Sequence, residues 1–298
     1  MKYHTPVLLN ESLEGLNINP AGIYVDLTFG GGGHSREILN RLTTGKLFAF
    51  DQDADAQANI LPDERFTFIG QNFRYMKNFL KYYHVDHVDG ILADLGLSSH
   101  HLDVAERGFS FQHDGPLDMR MNQNAELTAA VVVNTYPKEE LKNIFYSYGE
   151  LSNSAKLCEL IVKARNEKKI NTVNDFKTAI AACTPRDFEF KFLAKVFQAL
   201  RIEVNGELDS LKEMLMQTID VMKKDGRLVV ITYHSLEDRI VKNFIKKGIF
   251  EGEVEKDIYG NYVVPFAPVN KKVILPELSE IQINSKARSA KLRIGRRL

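Results

Sequence analysis

Three aspartates, each closing an apolar run, are the residues of this sequence best placed to do chemistry. Asp26 follows Ile23-Tyr24-Val25, Asp51 follows Lys46-Leu47-Phe48-Ala49-Phe50, and Asp94 follows Val88-Asp89-Gly90-Ile91-Leu92-Ala93. Beyond Asp26 come Leu27-Thr28-Phe29 and then Gly30 to Gly33, before a helical pattern at Ser35-Arg36-Glu37-Ile38-Leu39. Consecutive glycines surrender much backbone entropy, which a chain tolerates where it must turn sharply and admit a ligand close to its backbone. Strand, glycine turn and helix start are the parts of a nucleotide-type pocket at the carboxyl edge of an open parallel sheet. Strand tips in such sheets meet in one crevice, so Asp26, Asp51 and Asp94 are expected to converge there.

The ligand follows from the charge. The dinucleotide fingerprint G-x-G-x-x-G is not met, because its third position falls on Ser35 or Arg36. An acid ahead of the glycines repels a diphosphate and suits a positively charged ligand. S-adenosylmethionine has a sulfonium, an ammonium and no phosphate. Asp51 is placed to accept hydrogen bonds from both ribose hydroxyls, a device shared with nicotinamide-binding sheets; as a structural residue it would be a helix N-cap. Asp53 and Asp55 read as solvated first-turn acids. A third strand, Arg65 to Ile69, leads to Phe73, which packs either on the adenine ring or in the core. Asp94 would face the reacting end of the cofactor.

These elements need a scaffold, and the chain is long enough to supply one. It has 298 residues, 44% of them hydrophobic, enough for about two domains. Formal net charge is zero, but residues 1–118 hold 9 Lys/Arg against 16 Asp/Glu, and residues 119–298 hold 30 against 23. The acidic front suits a cationic small ligand and the basic remainder a polyanion. Strands alternate with helices up to about Asp94; Leu127 to about Ala199 reads as helices only, with a capping-box pattern at Thr172-Val173-Asn174-Asp175. A buried strand returns at Arg227–Thr232, a hairpin is placed around Tyr259-Gly260-Asn261, and Ala290–Ile294 reads as a final strand. The expected division is therefore a discontinuous core, 1–118 and 196–298, with a helical domain, 119–195, inserted after the fourth strand. Cys158 and Cys183 lack ligand-like spacing and read as buried thiols of a cytoplasmic protein. No signal segment and no run of about 20 apolar residues is present, so no membrane partner is expected.

Three polar loops beside strand ends are further candidates. They are Leu97 to Asp103 with Arg107-Gly108-Phe109-Ser110-Phe111, Asp114 to Met121, and Tyr233 to Arg239. A metal reading of His100, His101 and His234 lacks a completing carboxylate, and no metal is expected. A Ser98 or Ser235 triad lacks the G-x-S-x-G elbow. The tail carries Lys286, Arg288, Lys291, Arg293, Arg296 and Arg297 without an acid and reads as a nucleic-acid contact.

Taken together, these blocks resemble the family of ribosomal RNA small subunit methyltransferase H. The resemblance extends from His4-Thr5-Pro6-Val7-Leu8-Leu9-Asn10-Glu11 through Asp94-Leu95-Gly96-Leu97-Ser98-Ser99, Phe197 to Asn205 and His234 to Val241, to Arg288-Ser289-Ala290-Lys291-Leu292-Arg293. It implies a Rossmann-like class I S-adenosylmethionine-dependent methyltransferase core with an inserted all-helical domain for RNA recognition. It also implies methyl transfer to the N4 amine of a cytidine in the decoding centre of 16S rRNA, within the small ribosomal subunit. A homodimer is compatible with the sequence. By motif match the cofactor residues are Gly32, Gly33, His34, Asp51, Phe73, Asp94 and His101, to which the charge argument adds Asp26. The family usually has Pro-Gln where this chain has His100-His101. For the chemistry, Asp94 is the first candidate to accept hydrogens of the amine, followed by Ser98, Asn205 and His234. Arg107, Arg120, Arg201 and Arg239, with Arg288 and Arg293 of the tail, are candidates to hold RNA phosphates or to form ion pairs. The rival readings are a nicotinamide-dependent oxidoreductase and a non-catalytic RNA-binding assembly factor.

Overall fold

The structure, a computed structural model, describes residues 6–254 and 263–298, less the side chains of Ser99 and His100. The hairpin expected at Tyr259-Gly260-Asn261 lies outside the described residues, as do His4 and Thr5. The chain divides into two compact units, Met1–Gly96 with Leu208–Leu298, and Leu97–Glu207.

In the first unit the apolar runs pair as strands β1 (Ile23–Asp26), β2 (Lys46–Phe50), β3 (Phe66–Ile69), β4 (Val88–Asp94), β5 (Met222–Thr232), β6 (Phe266–Pro268) and β7 (Lys291–Arg297). Their order is β3-β2-β1-β4-β5-β7-β6. Strands β1 to β5 run parallel, and β7 lies antiparallel between β5 and β6. Ile91 to Ala93 and Leu228 to Ile231 are fully buried, as strands covered on both faces must be. The order reverses between β1 and β4, and a crevice opens at that switch point outside the carboxyl ends. This is the expected class I methyltransferase core, Rossmann-like, with an added antiparallel strand. Basic residues of the tail become β7, since Leu292 and Ile294 alternate with them into the core. Among the described residues no helix is long and apolar enough to cross a membrane.

Strand register decides which acid reaches the rim. Asp26 pairs with Ala49 of β2 and Leu92 of β4. Asp51 and Asp94 each lie two residues further along their strands, so they stand at the rim while Asp26 sits one pleat below it.

The second unit is built from helices Ala129–Thr135, Lys138–Ser147, Ser154–Glu167, Val173–Ile180 and Glu189–Asn205, with shorter turns between them. Thr172 and Asp175 form the full capping box, each side chain meeting the other's backbone N–H. The unit is wider than 119–195 at both ends for identifiable reasons. Phe109 and Leu117 belong to its core, and the helix Glu189–Asn205 runs unbroken through residue 196. Its composition is nearly neutral, with 14 Lys/Arg and 15 Asp/Glu over 97–207, whereas residues 208–298 carry 17 and 12. The basic excess therefore belongs to the returning half of the sheet unit. Cys158 and Cys183 are free thiols, and burial pushes Cys158 up to about 12.

Candidate active site

The glycine turn is held from inside the fold. Gly30 and Gly32 adopt φ of 49° and 73°, the left-handed region that side chains disfavour. A Cβ on Gly32 would meet the Phe29 ring at 2.9 Å. The Gly30 N–H donates to Asp51 Oδ2 at 2.8 Å, and the Gly32 N–H to the Phe29 carbonyl at 2.7 Å. Both amides, which a diphosphate would need, are thus already engaged.

Asp26 departs from the expected role of a ligand-facing acid. It is 1% exposed. Its Oδ2 accepts from Ser35 Oγ at 2.6 Å and its Oδ1 from the Thr28 N–H at 3.1 Å. The carboxyl pins the strand, the turn and the first helical turn together. Burial pushes its pKa up, against the opposing effects of the Ser35 hydrogen bond and His34. The folded state therefore holds this proton more tightly than the unfolded chain. Its contribution to stability is full below the ordinary carboxylate value of about 3.9 and declines as pH rises toward the raised folded-state pKa. Asp26→Asn is expected to keep the contacts to Thr28 and Ser35, and to remove that decline. Urea midpoints measured across pH 4 to 8 read the difference; equal pH slopes in the two proteins would contradict the assignment.

Asp51 accepts from Gly30 with one oxygen and from the Asp53 N–H, at 2.9 Å, with the other. Each carboxylate oxygen has two lone pairs, so these bonds aim the group and leave acceptor capacity for a ligand. The N-cap of the following turn is Asp53, whose side chain accepts from the Asp55 N–H. Asp53 is 5% exposed, a buried cap and not a solvated acid. Asn72 donates to Gln52 Oε1 at 2.9 Å and so ties the β3 tip, with Phe73 just beyond it, to the β2 tip.

Asp94 is the centre of the rim. Its backbone N–H donates to Thr28 Oγ1 at 2.7 Å. His34 donates from Nε2 to the Val7 carbonyl at 3.2 Å, because a carbonyl only accepts, and this turns Nδ1 toward Asp94 Oδ2 at 3.9 Å. The Asp94 side chain is 21% exposed. Burial pushes its pKa up; His34 and hydrogen bonds from the Tyr233 hydroxyl and the Gly96 amide oppose the rise, and Asp26 reinforces it. Oδ1 is buried and makes no full hydrogen bond among the described residues, so it retains an acceptor position. Tyr233 opens one of the candidate loops, but the sequence gave no role in the site to it. Its signal was its place immediately after β5, the strand beside β4, and Gly96 makes room for its ring: a Cβ there would lie 2.6 Å from Tyr233.

Several expected site residues are engaged by other groups of the fold. His234 is the N-cap of the helix Ser235–Lys247, accepting from the Glu237 N–H, with Nε2 3.0 Å from Glu237 Oε1. Arg293 forms a two-pronged pair with Asp238 at 2.7 and 3.1 Å. Arg239 and Arg288 are exposed. In the second unit, Asn205 is fully engaged with the Met121 N–H and the Met119 and Arg201 carbonyls. Arg107 is 6% exposed, donates to the Arg120 and Met121 carbonyls and lies over the Phe109 ring. Arg120 is forked onto Asp118 and Arg201 onto Glu207. Ser98 Oγ accepts from the His101 N–H at 3.2 Å, and the His101 ring stacks on Phe109 at 4.8 Å. Sequence alone did not separate these arginines from phosphate ligands: the partners of Arg107 and Arg293 come from other segments, and the nearer acids of Arg120 and Arg201 do not by themselves declare a pair.

A class I methyltransferase sheet, with acids at the rim of its switch point and a glycine turn whose Gly30 and Gly32 amides are bonded within the fold, is the architecture of a methylase. The chain belongs to the MraW methylase family, whose model matches residues 1–298. Ribosomal RNA small subunit methyltransferase H of Phocaeicola vulgatus is 61% identical over 294 residues, covering 98% of this chain and 97% of the relative. The proteins of the same name from Bacteroides thetaiotaomicron and Flavobacterium johnsoniae are 60% and 55% identical, over 99% and 100% of this chain and 97% and 99% of their own lengths.

Proposed function

We propose that this chain methylates the small-subunit ribosomal RNA with S-adenosylmethionine as donor, on the N4 amine of a cytidine in the decoding centre of 16S rRNA, in the cytoplasm. The observation that carries the reading is Asp94, a part-exposed rim carboxyl at the switch point whose Oδ1 has no hydrogen-bond partner among the described residues. The relatives' shared name supports rRNA as the substrate.

The residues present fit the donor. Gly32 and Gly33 give a wall without side chains, Asp51 has lone pairs for ribose hydroxyls, and Asp94, with His34 beside it, suits a cation in place of phosphate. Bound S-adenosylmethionine supplies a methyl group already activated by its sulfonium. The chain's own task is therefore positioning and charge. A cytosine amine is a poor nucleophile, because its lone pair is delocalised into the ring. Asp94 accepts a hydrogen bond from the amine and stabilises positive charge as it develops there. Thr28 and His34 hold Asp94 in place, so that the amine is aligned before reaction, and the Tyr233 hydroxyl favours its ionised form.

Incubating the protein with labelled donor and undermethylated small subunits, then locating the label on the RNA, tests the reading. Label on a cytosine amine is expected; binding to subunits without any transfer would make the protein an assembly factor instead. Asp51→Ala is expected to weaken donor binding at least tenfold by calorimetry, since a hydrogen bond to a charged acceptor contributes about 1.5–3 kcal/mol. Unchanged affinity would remove Asp51 from the site.

A further inference from the structure

A cleft on the flank of the sheet unit has a charge pattern that the methyl transfer leaves unexplained. It is lined by Lys242 and Lys246 of the helix Ser235–Lys247, by Asn270 and Lys272, and by Arg293 of β7, and no acid lines it. Local geometry explains why the loop is there. The Val269 N–H bonds to the Ile294 carbonyl, and Ile274 pairs with Leu292. Residues 270–273 therefore stand opposite Arg293 alone, and the surplus chain must leave the sheet as a bulge. Asn270 and Lys272 are carried on it.

Among the described residues the cations are not balanced. Asp238 accepts Arg293 and also lies 3.6 Å from Lys291, so its charge is already shared. Lys242, Lys246 and Lys272 have no acidic partner among the described residues. Lys246 is favoured where it stands by the carbonyl end of its helix. Neither Lys242, mid-helix and half-buried, nor Lys272 on the bulge has such a reason. Like charges gathered in a concave surface repel one another, and an anion seated among them removes that cost. Three ammonium groups with a neutral amide beside them match phosphate oxygens, which accept from every one of these donors.

We infer that this cleft is a phosphate site for the backbone of the RNA substrate, set to one side of the rim where the reaction takes place. The inference rests on the methyltransferase reading above. It moves the RNA contact from the tail, where Arg293, Arg296 and Arg297 are engaged within the fold, to lysines without an acidic partner among the described residues.

The test uses the full chain and undermethylated small subunits, with binding measured over a range of salt concentrations. The triple variant Lys242→Gln, Lys246→Gln, Lys272→Gln is expected to bind at least tenfold more weakly at 0.1 M salt. Its log–log salt slope is expected to be shallower by about 2, from about 0.7 per phosphate contact on single strands. Melting temperature and donor affinity should match the wild type. A control variant, Lys77→Gln with Lys223→Gln, removes lysines already paired with Asp220 and Asp89 and should leave the slope unchanged. An unaltered slope in the triple variant, or an equal loss per lysine in the control, overturns the inference. Saturable heat with inorganic phosphate that the triple variant loses, without change in the RNA slope, would assign the cleft to free phosphate and overturn it as well. Failure of the wild type to methylate subunits would instead count against the methyltransferase reading itself.

Discussion

Asp94→Asn lowers the single-turnover methylation rate by about 10²–10³-fold, the usual cost of removing one preorganised group that meets charge developing in the transition state. The substitution keeps the volume of the side chain and its backbone bond to Thr28 Oγ1. It removes the negative charge, and it places an amide donor where an amine also donates. Donor affinity, measured separately by calorimetry, distinguishes loss of chemistry from loss of binding. A single-turnover rate near wild type at saturating donor would remove Asp94 from the reaction.

The pH dependence follows from the same carboxyl. Burial, the largest influence, lifts its pKa above the ordinary aspartate value of about 3.9. In the proposed role Asp94 accepts a hydrogen bond from the amine best when ionised, so the rate is expected to rise with pH through that lifted value. The Tyr233 hydroxyl favours the ionised form. Tyr233→Phe is therefore expected to move the acid limb to higher pH while leaving the plateau rate little changed. A merely structural tyrosine would lower the plateau and leave the limb where it was.

Strand and helix periodicity made the sheet legible, because strands buried on both faces read as continuous apolar runs and helices follow them at fixed intervals. The rim was legible for Asp51 and Asp94, each following the last apolar residue of its strand. Asp26 looked equivalent in sequence and is not. Strand ends in sequence do not reveal register, and Asp26 is level with Ala49 and Leu92, inside the sheet. Arginines were legible as cations and not as partners, since Arg293 meets Asp238 across 55 residues. His234 looked like a group that could accept hydrogens of the amine, and its cap role was not legible because histidine is an uncommon helix cap; its bond to the Glu237 N–H is what an Asp or Ser usually makes. The neutral second unit, against a basic returning segment, shows that a division at residue 118 blended two different charge balances.

Asn205→Ala costs the protein about 2–4 kcal/mol of stability and leaves the rate per folded molecule within about threefold of wild type. The side chain makes three hydrogen bonds, to the Met121 N–H at 2.8 Å and to the Met119 and Arg201 carbonyls at 2.8 and 2.9 Å. They fasten the end of the helix Glu189–Asn205 to the loop that carries Met119, which is itself fully buried and has a φ of 64°. A non-glycine residue with that backbone persists only where its surroundings hold it. Each bond contributes about 1 kcal/mol net, and part-buried donors and acceptors left without partners cost more. Against a total stability of about 5–15 kcal/mol the loss is large. Urea unfolding and active-site titration of the soluble fraction separate the two effects. A catalytic Asn205 gives the opposite pattern, a stable protein without turnover, and that result would return it to the list of groups that touch the amine.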